Sequence, residues 1–366
     1  MCRENDCAMN ESSTVHIRAP SRSFSAGRGC RTLVMGLVGA SHARQIEEQA
    51  RKIRTLSDLP HGPEIIGDLS LITPDDGPPL WQRVLRETSA AAACLPIYTV
   101  ARTGKGRIDP SELLDVAIEQ MEGGVGLLTI HPTPSREIQA LAAIRLVPCT
   151  SRGGGLVIAD AKSRGWKEEN AYLQILPQLT VHARRNGTVL SLGASYRSAN
   201  IFDSGDAAQV AEIGMQVRLA REIGSQGVGV IIESPGHARP KDIKRLAVLL
   251  RAAGVPIMPL GPIPTDTAIG QDHISSAIGA TLLGLEGCAH ILAAVTREEH
   301  TGGIPSLEST IEAVAAARVA AHVIDLDQLD ADELDLAVAN ARSSRRTCVV
   351  GKSGRGCERC AKACPL

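Results

Sequence analysis

The chain has 366 residues, a formal net charge of −1 and a hydrophobic content of 43%, which is enough to build a large core. The near-zero charge argues against a general binder of nucleic acid or membrane surfaces. The two Phe, two Trp and three Tyr residues are too few for a base-stacking platform or an aromatic-cored sandwich. No apolar run reaches about 18 residues, so no segment is predicted to span a bilayer.

The N-terminal segment is polar and rich in Ser and Arg, and it lacks the apolar stretch of a secretory signal. We therefore expect residues 1–31 to be a flexible leader. Without an export signal, a cytoplasmic location is the expectation.

Eight short apolar segments alternate with helix-like segments over residues 32–325. Nearly continuous apolar strands in such an alternation are typical of a buried parallel sheet. Eight units predict an α/β fold, a closed (β/α)8 barrel of the TIM type, rather than an open doubly wound sheet, because the turn at residues 38–41 is not a glycine-rich dinucleotide turn. The predicted strands are Thr32–Val38, Glu64–Leu69, Cys94–Tyr98, Val125–His131, Thr188–Leu192, Val228–Glu233, Pro256–Leu260 and His290–Val295, and helical spacing marks Pro110–Met121, Ala207–Ile223 and Pro240–Ala253.

The composition changes after Ile324. Residues 325–335 contain six acidic side chains, which indicates a solvated helix face, and residues 342–362 contain seven basic side chains against one acid. We expect residues 326–366 to form a linker and a small C-terminal appendage.

The end of the chain carries three cysteines, Cys357, Cys360 and Cys364, with the spacing C-x2-C-x3-C. Clustered thiols in a chain without an export signal favour metal or redox chemistry over disulfides. Three thiolates can bind three irons of a [4Fe–4S] cluster and leave the fourth iron open for S-adenosylmethionine. A zinc knuckle with Cys348 as its fourth ligand is the alternative.

Polar side chains stand where the predicted strands end, which is where (β/α)8 barrels carry their functional groups. His131 closes an apolar strand, and His237 and His300 are candidate ligands of a divalent metal whose shell water or substrate would complete. Histidines that are hydrogen-bonded loop caps would produce the same pattern. The other strand-end candidates are Asp68, Tyr98, Arg197, Glu233 and Asp266, with His273 as a further candidate.

A glycine-rich segment, Ser151-Arg152-Gly153-Gly154-Gly155, is a candidate anion site. Consecutive glycines let backbone N–H groups converge on phosphate oxygens, and Arg152 supplies a charged partner.

From about Val34 to the C-terminus, these motifs resemble the phosphomethylpyrimidine synthase family, the radical S-adenosylmethionine enzymes of thiamine biosynthesis. The resemblance rests on many motifs in the same order. They are Leu95-Pro-Ile-Tyr98, Thr129-Ile-His131, Ser151-Arg152-Gly153-Gly154, Leu190-Ser-Leu-Gly193, Ile232-Glu233-Ser-Pro-Gly-His237, Leu260-Gly-Pro-Ile-Pro-Thr-Asp266, Gly270-Gln-Asp272-His273, Gly287-Cys-Ala289, Val295-Thr-Arg-Glu-Glu-His300 and the cysteine tail.

The resemblance implies a carbon–carbon lyase that acts on a phosphorylated aminoimidazole ribotide. It implies a [4Fe–4S] cluster on Cys357, Cys360 and Cys364, S-adenosylmethionine as a cofactor, and a second divalent metal, zinc or iron, on His237 and His300. It also implies a flavodoxin- or ferredoxin-type electron donor and a homodimer. The implied substrate contacts are Tyr98, His131, Ser151, Arg152, Gly153, Arg197 and Glu233, of which Glu233 and His131 are the candidate catalytic residues.

Four positions depart from the family pattern: Leu37, Gly67, Ala194 and Met258 stand where the family has Asn, Met, Asp and Tyr. The cysteine spacing is also one residue shorter than the family's C-x2-C-x4-C. A site built for polar groups is penalised by their loss, so these changes indicate altered recognition. A divergent paralogue with a changed ribotide or product, as in the sister hydroxybenzimidazole synthase, is therefore an alternative. A metal-dependent barrel lyase or hydrolase with a structural zinc tail is the alternative from another class.

Overall fold

The structure, a computed structural model, describes residues 14–74, 77–103, 107–348, 360 and 363. Eight parallel strands form one sheet in which each strand pairs with the next along the chain, from the third strand to the ninth, and the tenth pairs with the third. The strands are β3 (Leu33–Val38), β4 (Ile65–Asp68), β5 (Ala91–Cys94), β6 (Leu127–Ile130), β7 (Val189–Leu192), β8 (Val230–His237), β9 (Ile257–Ile263) and β10 (Ile291–Ala293).

His290 joins the two remaining edges, β9 and β10, and so closes the sheet into a barrel. The His290 N–H donates to Ile257 O at 2.9 Å, and the Ile257 N–H donates to His290 Nδ1 at 3.0 Å. Burial lowers the pKa of His290 to about 4, so the ring is neutral at pH 7 and Nδ1 keeps its lone pair. The predicted (β/α)8 fold is confirmed.

Helices connect the strands and cover the outside of the barrel, and their apolar faces pack on the outward-facing residues of the strands. The helices are α1 (Ile46–Asp58), α2 (Leu80–Glu87), α3 (Pro96–Thr103), α4 (Pro110–Glu122), α5 (Arg136–Ala142), α6 (Arg152–Ser163), α7 (Ala171–Asn186), α8 (Ala207–Ser225), α9 (Pro240–Arg251), α10 (Asp272–Gly284), α11 (Leu307–Leu329) and α12 (Glu333–Arg345). Among the described residues, no helix combines the length and apolar character needed to cross a bilayer.

β5 differs most from its prediction. The prediction placed a strand at Cys94–Tyr98, whereas β5 is Ala91–Cys94 and Pro96 begins α3. Alanine has low β propensity, but inside a barrel all four residues of β5 are buried, and burial outweighs propensity. Tyr98 therefore lies in the first turn of a helix.

The N-terminal segment also differs from its prediction. Two antiparallel strands, β1 (Val15–Arg18) and β2 (Ser23–Ala26), form a hairpin within residues predicted to be a flexible leader. Val15 and Ile17 are buried and pack with the inward-facing residues of the barrel strands. The leader prediction is wrong for residues 15–26, because two apolar side chains two residues apart point to the same face of a strand and enter the barrel.

The C-terminal acidic segment is only partly solvated. The carboxylate of Asp325 is buried on α11 and accepts the Thr32 N–H at 2.8 Å, which corrects the expectation of a wholly solvated face. Asp335 on α12 pairs with His322 at 2.6 Å. Residues 349–359, 361, 362 and 364–366 lie outside the described part of the chain. The appendage predicted there stays a prediction.

Candidate active site

A cavity of about 270 Å³ lies at the carboxyl ends of the barrel strands. It brings together residues that the sequence analysis selected from widely separated motifs. The predicted site residues that line it are Tyr98, His131, Ser151, Arg152, Arg197, Glu233, His237 and His300.

Glu233 is a buried carboxylate on β8. Its Oε1 accepts hydrogen bonds from Thr129 Oγ1 at 3.1 Å and Ser191 Oγ at 3.2 Å, on the two preceding strands. Burial raises the pKa of Glu233, and the nearby charge of Arg197 opposes that rise. The side chain is thus held rigidly and is a candidate acceptor for a polar group of a ligand.

His131 lies directly after β6 between two glycines. A Cβ atom on Gly153 would lie 2.5 Å from its Cε1, and one on Gly193 would lie 2.6 Å from its Nε2, so both neighbours must be glycine for the ring to fit. Burial, followed by the charge of Arg197, lowers the pKa of His131 to about 3, so the ring is neutral at pH 7. Its Nε2 lies 3.3 Å from Ser151 Oγ, while its buried Nδ1 has no partner among the described residues and is available to a ligand.

The glycine-rich segment forms the start of α6 rather than an open loop. Ser151 caps this helix, and its Oγ accepts the Gly154 N–H at 3.0 Å. Arg152 is exposed at the first helical position, with its guanidinium carbon 5.5 Å from the centre of the Tyr98 ring. A helix N-terminus beside an arginine at the cavity is a suitable place for an anionic group.

Arg197 follows β7 and adds a second positive charge to the cavity. Its Nη1 donates to the backbone oxygen of Ala194 at 3.0 Å, which holds the side chain in place. Burial raises the pKa of the Tyr98 hydroxyl, which keeps it protonated, and the charges of Arg152 and Arg197 oppose that rise.

His237, at the end of β8, and His300 face each other across the rim of the cavity. Their Nε2 atoms are 3.1 Å apart. Nδ1 of His237 lies 2.7 Å from Asp266 Oδ1, and Nδ1 of His300 lies 2.5 Å from Asp272 Oδ1. A carboxylate accepts hydrogen bonds, so each Nδ1 carries a hydrogen, and Nε2 presents a lone pair whenever its ring is neutral.

This pair fits a divalent metal. Two imidazole nitrogens on one tetrahedral zinc, each about 2.0–2.1 Å from the ion, would lie about 3.3 Å apart. Carboxylates behind the rings are the usual outer partners of metal-bound histidines. Burial lowers the pKa of His237, which favours the neutral form that a metal requires. No group of three or more His, Cys, Asp or Glu in the described part of the chain could hold a metal, so other ligands would have to complete the shell.

Asp68 and His273 do not line the cavity. Asp68 accepts the Ser70 N–H at 2.9 Å and the Trp81 N–H at 3.0 Å, so it orders the segment after β4. His273 does not line the cavity, and its Nδ1 is buried without a partner among the described atoms. Asp68 matches the sequence pattern of a strand-end polar group, whereas His273 lies in the first turn of α10.

Other contributors to the site were not selected from the sequence. Thr129 and Ser191 hold Glu233, Asp272 holds His300, and Glu299 lines the cavity. The signal for the two hydroxyls is a single polar residue within each of two apolar strands, β6 and β7. Asp272 belongs to one of the motifs of the resemblance, but nothing local shows that it contacts His300, which lies 28 residues away.

Of the three clustered cysteines, Cys360 is described and its side chain is exposed. Cys357 and Cys364 lie outside the described residues. The proposed cluster ligands therefore rest on the chemistry of the donor set: three thiols within eight residues.

The sequence matches the radical SAM ThiC family over residues 12–349. It is 32% identical over 311 residues to the phosphomethylpyrimidine synthase of Carboxydothermus hydrogenoformans, an alignment that covers 82% of this chain and 71% of that protein. It is 33% identical over 331 residues to the phosphomethylpyrimidine synthase of Pyrococcus furiosus, with coverages of 86% and 75%.

A structure of dihydropteroate synthase from Xanthomonas albilineans superposes with a TM-score of 0.48 and 12% identity over 87% of this chain and 99% of that one, which is too low to support an inference. The sequence relatives are radical S-adenosylmethionine enzymes of thiamine biosynthesis, and such a family implies a [4Fe–4S] cluster and S-adenosylmethionine. With this match and the two relatives, the chain belongs to the radical SAM ThiC family, as its motifs predict.

Proposed function

We propose that this protein is a radical S-adenosylmethionine lyase that fragments and rearranges a phosphorylated aminoimidazole ribonucleotide. One observation carries the proposal. An anion-binding helix terminus, a buried carboxylate and a carboxylate-backed histidine pair meet in one cavity at the carboxyl end of the barrel.

The substrate phosphate is assigned to the start of α6. Arg152 supplies a planar, permanently charged group, and the first N–H groups of the helix supply donors. Ser151 and Gly153 belong to the same turn, where Gly153 leaves room for His131. The Tyr98 ring lies against the Arg152 guanidinium.

Glu233 and His131 are assigned to the sugar and the base. A buried carboxylate accepts hydrogen bonds from hydroxyl or ring N–H groups, and a neutral imidazole can accept or donate one. Arg197 balances the charge of Glu233. These groups orient the substrate and exclude water. In a reaction of this kind the cofactor breaks the bonds, and the protein binds and positions the reactants.

His237 and His300 would hold the second metal, zinc or iron, and Cys357, Cys360 and Cys364 would hold the [4Fe–4S] cluster. When bound, the cluster supplies the electron that cleaves S-adenosylmethionine reductively. A flavodoxin- or ferredoxin-type donor and a homodimer follow from the resemblance to this family, and these and a cytoplasmic location are part of the proposal.

Anaerobic reconstitution with iron, sulfide, S-adenosylmethionine, a reductant and aminoimidazole ribotide tests the proposal. We expect about four irons per chain, with 5′-deoxyadenosine and a rearranged pyrimidine phosphate detected by mass spectrometry. Cys360→Ala should lose the iron chromophore and 5′-deoxyadenosine formation, while Cys30→Ala, in the N-terminal region, should keep both.

Iron-free protein with unchanged turnover in Cys360→Ala would contradict radical chemistry and favour a metal-dependent hydrolase or lyase. A product other than the thiamine pyrimidine phosphate would identify the divergent paralogue.

A further inference from the structure

The cavity has two walls of opposite chemical character. Strands β6 to β8 and the segments after them supply the polar wall, which contains Thr129, His131, Arg197 and Glu233. The neighbouring strands β9, β10, β3, β4 and β5 form the rest of the barrel. They or the residues directly after them supply what we call the apolar wall: Leu37, Leu69, Leu95, Leu260 and Val295.

None of these five side chains carries a hydrogen-bond donor or acceptor. The polar groups that follow β5 and β10 are Tyr98, Glu299 and His300, and they lie beyond the strand ends, in α3 and in the segment before α11. The boundary between the two walls is therefore parallel to the barrel axis. It separates five neighbouring strands that supply the apolar wall from three that supply the polar wall.

Leu37 of the apolar wall fits closely against its neighbours. A Cβ atom on Gly67, on the next strand, would lie 3.1 Å from Leu37 Cδ2 and 3.5 Å from Met35 Sδ. The glycine thus makes the space that the leucine occupies. Leu37 is half-buried and lines the cavity, so its exposed surface can contact a ligand there.

We propose that the substrate presents a carbon edge to the apolar wall: a ring carbon that bears hydrogen or methyl rather than an amino or hydroxyl group. This inference rests on the proposed function, which assigns the phosphate and the other polar groups of the ribotide to the opposite wall. An amino group placed against the apolar wall would lose its hydrogen bonds to water and find no partner among these side chains. A methyl group of nearly the same size makes no hydrogen bonds to water and would therefore lose none.

Two isosteric pairs of ligands separate chemistry from size. One pair consists of the derivatives of aminoimidazole ribotide that carry methyl or amino at ring carbon C2, and the other pair carries the same two groups at C4. Their affinities for the anaerobic holoenzyme, and that of aminoimidazole ribotide itself, are measured by calorimetry. At one of the two positions, we expect the methyl derivative to bind about tenfold or more tightly than the amino derivative, which is the usual cost of an unpaired buried polar group.

Leu37→Asn introduces a donor and an acceptor into the apolar wall at nearly constant size. We expect it to reduce the methyl preference about fivefold or more. Leu146→Asn makes the same chemical change on the surface, where the side chain is 73% exposed, and should leave the preference unchanged. Leu37→Ala keeps the wall apolar and should retain the preference, which provides a second test if the asparagine variant folds poorly.

Equal affinities within both pairs, or a preference for amino at both positions, overturn this inference but leave the proposed function intact as long as aminoimidazole ribotide binds. A methyl preference that Leu37→Asn does not change overturns the assignment to the apolar wall. If no ribotide binds while the holoenzyme is folded and loaded with iron, the proposed function fails and this inference fails with it.

Discussion

At the scale of single residues, the carboxylate partners of the histidine pair determine what the pair can bind. Asp266 and Asp272 each accept a hydrogen from Nδ1, so both Nε2 lone pairs face the same small space. Two lone pairs at 3.1 Å repel one another unless a proton or a cation lies between them. A metal ion removes that repulsion, and the carboxylates increase the basicity of the nitrogens that bind it.

Asp272→Asn tests this arrangement. The amide can still orient His300 but carries no charge, and we expect zinc affinity to fall about 10- to 100-fold in competition with a chromophoric chelator. Asp335→Asn is the matched control, because Asp335 pairs with His322 on α11, away from the cavity. Equal zinc affinity in the two variants would show that Asp272 does not support a metal site.

At the scale of the elements, most strands and the polar groups at their ends could be predicted from the sequence. Apolar runs bounded by Gly and Pro identify buried strands, and a polar residue at the end of such a run identifies a functional position. The alanine strand β5 has no such signature. Contacts such as Asp272 with His300 depend on how distant segments meet, which no local pattern encodes.

Glu212 on α8 is a further contact of this kind, since it joins the segments that follow β6 and β7. Its carboxylate accepts hydrogen bonds from Thr133 Oγ1 at 2.6 Å and from the N–H groups of Ser195 and Tyr196 at 2.7 Å each. These segments carry His131 and Arg197. Burial raises the pKa of Glu212 to about 7, while these hydrogen bonds and the charge of Arg145 oppose the rise.

Glu212→Gln should change how stability depends on pH. The folded protein keeps a proton on Glu212 that the unfolded chain releases between about pH 4.5 and 7, so this residue lowers the free energy of unfolding as pH rises through that range. Relative to the variant, the wild type should lose about 3 kcal/mol between pH 4 and 8, as measured by urea unfolding.

The matched control is Glu47→Gln, whose side chain is 77% exposed and which should follow the wild type. A constant difference between the wild type and Glu212→Gln across this pH range would contradict the raised pKa of Glu212.

At the scale of the whole molecule, the two ends of the barrel differ: the amino end is closed by a hairpin, and the carboxyl end carries the cavity. The hairpin β1–β2 closes the amino end, where Val15 and Ile17 pack with inward-facing residues of the barrel strands. Met35 belongs to this inner cluster and also lines the cavity at the carboxyl end. The apolar interior is therefore continuous from the hairpin to the base of the apolar wall. The hairpin packs against the same apolar core that ends at the cavity.

Ile17→Ala measures how firmly the hairpin is attached. The side chain is fully buried, and removing three carbons from a core position costs about 2–5 kcal/mol of unfolding free energy. Val181→Ala, on the exposed face of α7 where the side chain is 64% exposed, should change stability by less than about 0.5 kcal/mol. If the two substitutions had the same small effect in urea unfolding, residues 15–26 would behave as the flexible leader that composition predicts. A large difference means that the hairpin is part of the folding unit and that the barrel is closed at its amino end.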